Sequence, residues 1–201
     1  MAGASEVQAY VELHRAVFES TNMTHAWRAR TLGCLGYLHD LDLVAVAPDG
    51  RLAAFCIGWL SSVSGTSGQI EPFGVGREFR EAGLGRAILL ENVRRLANLG
   101  ACRALVETDT YRSPALDLYE SAGFKPIRDV HIYRKNYATE QPSRDPQPSS
   151  SFSGASTRSM TMDRICTSNQ LWNVARSRTA GQVFSSVRQP MSSSSKIRSK
   201  H

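Results

Sequence analysis

The sequence predicts a mixed α/β fold, a central sheet with helices on its faces, and three observations carry that reading. A Pro48-Asp49-Gly50 turn joins two apolar runs, helical and extended periodicities alternate after it, and a Gly83-Leu84-Gly85 step opens a strong amphipathic helix. The chain has 201 residues, 41% hydrophobic and 21% charged, which allows one ordinary domain with an appendage.

The elements follow in order. From Ser5 to Glu19 the residues Val7, Tyr10, Val11, Leu13, His14, Val17 and Phe18 recur near the helical period. A second helix begins after Asn22 or Thr24, either of which suits an N-cap, and runs towards Leu32. Leu41 to Ala47 reads as a strand. Proline presets φ and glycine accepts φ > 0 in the turn that follows, so Arg51 to Leu60 returns as the second strand of a hairpin. Ser61 to Gly68 is a loop of small residues, and Gln69 to Val75 is a further strand. A helix from Leu84 to Asn98, closed by Gly100, sets Leu84, Ala87, Ile88, Val93, Leu96 and Ala97 in one stripe, with Arg86, Arg94 and Arg95 outside it. Ala104 to Thr108 is a strand and Pro114 to Ala122 a helix. Phe124 to Ile127 and Val130 to Tyr133 form a last pair of strands. The domain therefore spans 5–137.

Residues 138–201 read as a different material. A quarter of these positions are serine, three prolines fall between 142 and 148, and apolar residues are too sparse to offset the entropy of ordering. This basic tail is predicted to be disordered, with a transient helix over Asn169–Ala175. It carries nine Lys/Arg against three Asp/Glu, which accounts for the whole net charge of +6; residues 1–137 are neutral. Nucleic acid is accordingly not expected as a partner of the domain, and a tail-driven affinity would fall steeply with salt.

Other classes are set aside as directly. No apolar run approaches the roughly 18–20 residues of a membrane span, and Met1–Glu6 has no basic or apolar leader pattern. Cys34, Cys56, Cys102 and Cys166 form no CxxC pair and have no histidine at ligand spacing. No metal, no membrane and a cytoplasmic setting are expected. Cys56, Cys102 and Trp27 read as core residues or pocket wall. Trp59 reads as core or as a substrate contact.

The chemistry concentrates in Gly74-Val-Gly-Arg-Glu-Phe-Arg80-Glu-Ala-Gly83-Leu-Gly85-Arg86. Glycines let a backbone approach a ligand, and the first-turn amides of a helix lack intrahelical acceptors, so a phosphate or pyrophosphate suits the step. The same glycines also serve a plain strand-to-helix turn. No Gly-Lys-Ser/Thr follows, and the segment is not a dinucleotide fingerprint. Coenzyme A then heads the remaining ligands.

With Ala115-Leu-Asp-Leu118-Tyr119-Glu-Ser-Ala-Gly123-Phe124 added, the chain resembles the GNAT superfamily of acetyl-CoA-dependent N-acyltransferases. Arg80-Glu-Ala-Gly83-Leu-Gly85 matches its phosphate motif and Ala115, Leu118, Tyr119, Gly123 and Phe124 match its later one. The likeness covers Leu41 to Tyr137 and extends to the second half of tandem acyltransferases of the mycothiol synthase kind. The resemblance implies that Arg80, Glu81, Ala82, Gly83, Leu84, Gly85 and Arg86 hold the pyrophosphate. It also implies that Phe73, Gly74 and Val75 pair with the pantetheine arm, and that Tyr119 protonates the departing thiolate. A phenol, neutral at pH 7, has that proton to give. Strand alternation sets Glu71 on the side of Phe73 and Val75, where partial burial would suit a general base. Glu71 stands two residues after Gln69, where family members place such a base, and also suits a substrate contact or ion pair. Arg112 replaces a family asparagine and is expected to reach a CoA phosphate.

The family's first strand, before its first helix, has no counterpart in Met1–Ala4, so an exposed sheet edge is expected to invite a homodimer. The implied reaction is acetyl transfer from acetyl-CoA to a primary amine of a small molecule or protein, in a ternary complex. The alternative is a catalytically silent CoA-binding or partner-binding module.

Overall fold

The computed structural model describes residues 4–61, 67–134, 153–165 and 186–188. The chain divides into two compact units, residues 1–105 with 162–201, and residues 106–161. Both combine strands with helices, so the mixed α/β class holds.

In the first unit α1 (Ala4–Phe18) leads to α2 (His25–Leu32), whose N-cap Thr24 accepts from the Trp27 amide. β1 (Asp42–Val46) and β2 (Leu52–Leu60) form the hairpin, and Gly50 takes φ +88° in its turn. β3 (Ser67–Val75) follows, then α3 (Leu84–Asn98) and the start of β4 (Arg103–Asp109). A short strand, β7 (Ser186–Arg188), completes the order β4-β3-β2-β1-β7. β3 and β4 run parallel and the other pairs antiparallel.

Two packed faces hold this sheet. On one, Tyr10, Val11 and Met23 pack with Val44, Val46, Phe55 and Ile57. On the other, α3 lays Ile88, Leu89, Val93 and Leu96 down, all buried. Asn92 sits fully buried within that stripe, its Nδ2 donating to the Leu41 carbonyl at 2.8 Å and to the Cys56 carbonyl at 3.3 Å. A Cβ at Gly58 would lie 2.3 Å from Asn92 Oδ1, so glycine there makes room for the amide.

β3 contains a bulge that the period-two reading misses. Its register with β2 pairs Gly58 with Ile70 but Cys56 with Phe73, so Glu71 and Pro72 together oppose the single residue Ile57. Side-chain parity inverts across it. A Cβ at Gly68 would meet Leu96 of α3, whereas one at Gly74, an even step later, would meet Val17 of α1 and Phe55.

In the second unit β4 finishes, α4 (Ser113–Ala122) follows with proline in its first turn, and Gly123 closes it at φ +103°. β5 (Lys125–Arg134) is one strand of ten residues, not two short ones. A register shift between Pro126 and Arg128 produces the break the sequence suggested. β6 (Ser153–Asp163) pairs antiparallel with β5, and the order here is β5-β6-β4.

β6 corrects the expectation of a tail disordered throughout 138–201, and with it the domain limit at 137. Its polar residues pair by backbone, Met160 and Met162 are buried, and Ser159 Oγ donates to Glu107 at 2.9 Å. The predicted helix over 169–175 lies outside the described residues. Two further expectations reverse: Cys102 is exposed, and Trp27 is 54% exposed while its neighbour Arg28 is 2% exposed. On α2 the sheet-facing position falls one residue later than hydrophobicity suggested, and Arg28 is admitted there by the carboxylate of Asp42.

Candidate active site

The segment between β3 and α3 is shaped by its backbone. Gly76 donates to the Ala53 carbonyl at 2.8 Å, holding the strand exit against β2. A short 3-10 turn, Arg77–Phe79, is tied to the hairpin by Arg51, which pairs with Glu78 at 2.5 Å and lies 5.1 Å over the Phe79 ring. Arg80 folds back, its Nε donating to the Val75 carbonyl at 3.3 Å. Glu81 at φ +64° and Gly83 at φ +75° are both left-handed. Such a conformation is costly for a residue with a Cβ and persists where surrounding structure holds it.

α3 therefore begins abruptly. Its N-cap, Gly83, supplies no side-chain cap, its first turn contains no acidic residue, and the first closing bond runs from the Ala87 amide to the Gly83 carbonyl. The amides of Gly83, Leu84 and Gly85 precede that bond at the positive end of a fifteen-residue helix. A diphosphate group fits this chemistry, with Ala82, Gly83, Leu84, Gly85 and Arg86 forming the turn and Arg80 beside it. Phe73, Gly74 and Val75 sit immediately upstream, so the structure brings these expected cofactor contacts together.

Glu71 lies within the bulge, on the face of Gln69 as alternation placed it but not on the face of Phe73. Gln69 pairs with Trp59, and its Nε2 donates to Glu71 Oε2 at 2.9 Å. Glu71 therefore shares the side of Gln69 and Trp59, while Phe73 pairs with Cys56 on the side of Ile70. Its carboxylate is exposed, so the burial expected for a base is absent. The bulge also frees the Glu71 carbonyl from the ladder, and the Trp59 indole donates to it at 2.6 Å. Trp59 thus anchors the backbone that carries Glu71.

A second polar group on this unit escaped the sequence reading. Asp42 is fully buried and accepts at one oxygen from Arg28 Nη2 and from the Tyr37 hydroxyl, both at 2.5 Å. The Arg28 guanidinium lies 3.8 Å over the Tyr10 ring. Burial, followed by the Asp42 charge, pushes the Tyr37 hydroxyl well above the ordinary phenol range. Burial and then the charge of Arg28 lower the His14 imidazole below its usual 6.5. The one available signal was the carboxylate inside the apolar run Leu41-Asp42-Leu43-Val44, which has to find a buried partner.

In the second unit Arg112 precedes α4 and pairs with Asp109 at 3.0 Å rather than standing ready as a lone cation. Tyr119 is buried on α4, its ring centroid 5.8 Å from that of Phe124, whose amide donates to the Tyr119 carbonyl. Among the described residues, no group of three or more His, Cys, Asp or Glu is placed to hold a metal, and no helix is long and apolar enough to cross a membrane.

The family model described as acetyltransferase (GNAT) family matches residues 7–124. A mycothiol acetyltransferase of Kocuria rhizophila is 37% identical over 67 residues, which make up 33% of this chain and 22% of that protein. The ribosomal-protein-S18-alanine N-acetyltransferase of Escherichia coli superposes with a TM-score of 0.57 at 19% identity, over 82% of this chain and 92% of that one. A protein described as a phosphinothricin N-acetyltransferase gives 0.60 at 18% identity, over 81% and 95%. The phosphinothricin acetyltransferase of Sinorhizobium meliloti, solved in complex with AcCoA, gives 0.57 at 19% identity, over 81% and 85%. At these identities the structural likeness is one of fold.

Proposed function

The chain belongs to the GNAT family of acetyltransferases, and on that premise we propose that it transfers an acetyl group from acetyl-CoA to a primary amine by direct attack within a ternary complex. The observation that carries the reading is the α3 N-terminus, uncapped by any side chain and preceded by two left-handed residues. Its first-turn amides donate to the pyrophosphate, and the backbone of Phe73–Val75 lines the pantetheine arm. Bound acetyl-CoA supplies a thioester carbonyl open to attack.

The residues then divide the proton work. An amine attacks only when neutral, and Glu71, held by Gln69, takes its proton as the new N–C bond forms. As the C–S bond breaks, Tyr119 gives its phenolic proton to the sulfur. Cleavage is assisted because the developing thiolate never carries a full charge. The acceptor is the amine of a small molecule or of a protein, and α1 and α2 supply contacts to it.

The test is thiol release from acetyl-CoA over a panel of small primary amines and peptides with free N-termini. Stimulated release by one class, lost in Tyr119→Phe with acetyl-CoA affinity kept, supports the reading. A folded protein that binds acetyl-CoA yet releases no thiol with any amine is instead a silent CoA-binding module.

A further inference from the structure

β1 is built like an interior strand. All five residues from Asp42 to Val46 are buried, and β2 pairs with each of them. A strand edge exposes unpaired N–H and C=O groups, and proteins guard such edges with charge, proline or a cover. β1 has none of the first two: Leu43 to Val46 are apolar, and the Asp42 carboxylate is engaged by Arg28 and Tyr37. Its cover comes from far along the chain. Ser186, Val187 and Arg188 pair antiparallel with Val46, Ala45 and Val44, although residues 166–185 separate them from Ile165.

We propose that the outer edge of β1 is a strand-docking surface whose occupant is this chain's own Ser186–Arg188, and that this occupancy keeps β1 from pairing with a second copy. Backbone ladder bonds supply the recognition, as in strand addition by extended peptides. The region read from sequence as a disordered tail thereby completes the sheet, and the homodimer expected at an exposed edge forms when β7 leaves.

Hydrogen exchange on the full chain tests this. Amides of adjacent residues point to opposite sides of a strand, so Ser186→Pro with Val187→Pro removes one donor facing β1 whichever residue carries it. Exchange over residues 42–47 is expected to quicken by about tenfold or more in that variant, with a concentration-dependent dimer in light scattering. Unchanged exchange overturns the docking, and faster exchange in a strictly monomeric variant overturns the guarding role. Should the double proline variant fail to fold, Ala45→Cys with Val187→Cys tests the same register in an otherwise unaltered chain. A disulfide between these positions within one chain supports it. A 45–187 disulfide that joins differently labelled chains in an isotope mixture, or none at all, overturns it.

Discussion

Replacing Asp42 by asparagine removes one charge from a site where nothing else can compensate. Asp42 is 0% and Arg28 2% exposed, and the carboxylate is the acidic partner of that guanidinium among the described residues. The pair is already under-satisfied, since Arg28 Nε and Nη1, Asp42 Oδ1 and the Tyr10 hydroxyl are buried without hydrogen-bond partners among the described residues. Asparagine keeps an oxygen for Tyr37 but leaves an unpaired buried cation. Breaking such a pair costs about 3–5 kcal/mol, and the cation–π contact with Tyr10, present in both forms, offsets none of it. Against a total stability of about 5–15 kcal/mol this is a large loss. Urea unfolding followed by circular dichroism is expected to shift its midpoint down by about 1–3 M. Adding Arg28→Met removes the stranded charge, so the double variant is expected to regain most of the loss. A shift of less than about 0.3 M in Asp42→Asn, or a double variant worse than the single, would refute the reasoning.

Other outcomes follow from the same geometry. Gly58→Ala sets a Cβ 2.3 Å from Asn92 Oδ1, in an amide held by two backbone carbonyls, and thermal melting is expected to report a loss of about 1–3 kcal/mol. Because the His14 pKa is depressed in the folded state, its contribution is complete above 6.5 and is lost as pH falls below that value. Unfolding free energy should therefore decline from about pH 7 to about pH 5, less so in His14→Phe, and equal slopes would contradict this. Glu71→Gln is expected to cut amine-dependent thiol release by about 100-fold while calorimetry shows acetyl-CoA affinity unchanged. Unaltered release would move the base elsewhere.

What the sequence discloses here depends on whether a local pattern and a tertiary demand agree. Thr24 caps α2, Gly50 turns the hairpin and α3 runs from Leu84 to Asn98 because capping, turn chemistry and helical period all point one way. The bulge at Glu71 has no such signature. It adds one residue to a strand whose alternation otherwise reads smoothly, and it parts Glu71, beside Trp59, from Phe73. β6 was hidden by composition, since serine and threonine dominate it and pairing with β5, not hydrophobicity, orders it. Arg28 and Asp42 are each uninformative alone and make sense only as a pair fourteen residues apart. Of the candidate site, the turn before α3 was legible because the left-handed φ at Gly83 favours glycine. The setting of Glu71 was not, because it depends on a cross-strand indole.

Calorimetric titration of acetyl-CoA into the full chain, beside Gly83→Asp, tests the central claim most directly. Aspartate tolerates the left-handed region and is a good N-cap, so the variant is expected to fold while its carboxylate occupies the α3 amides. Affinity of about micromolar for the native chain, weakened by about 100-fold or more in the variant, is the expected result. Equal affinity in both, or no binding by the folded native chain, would contradict the assignment of that turn to the coenzyme.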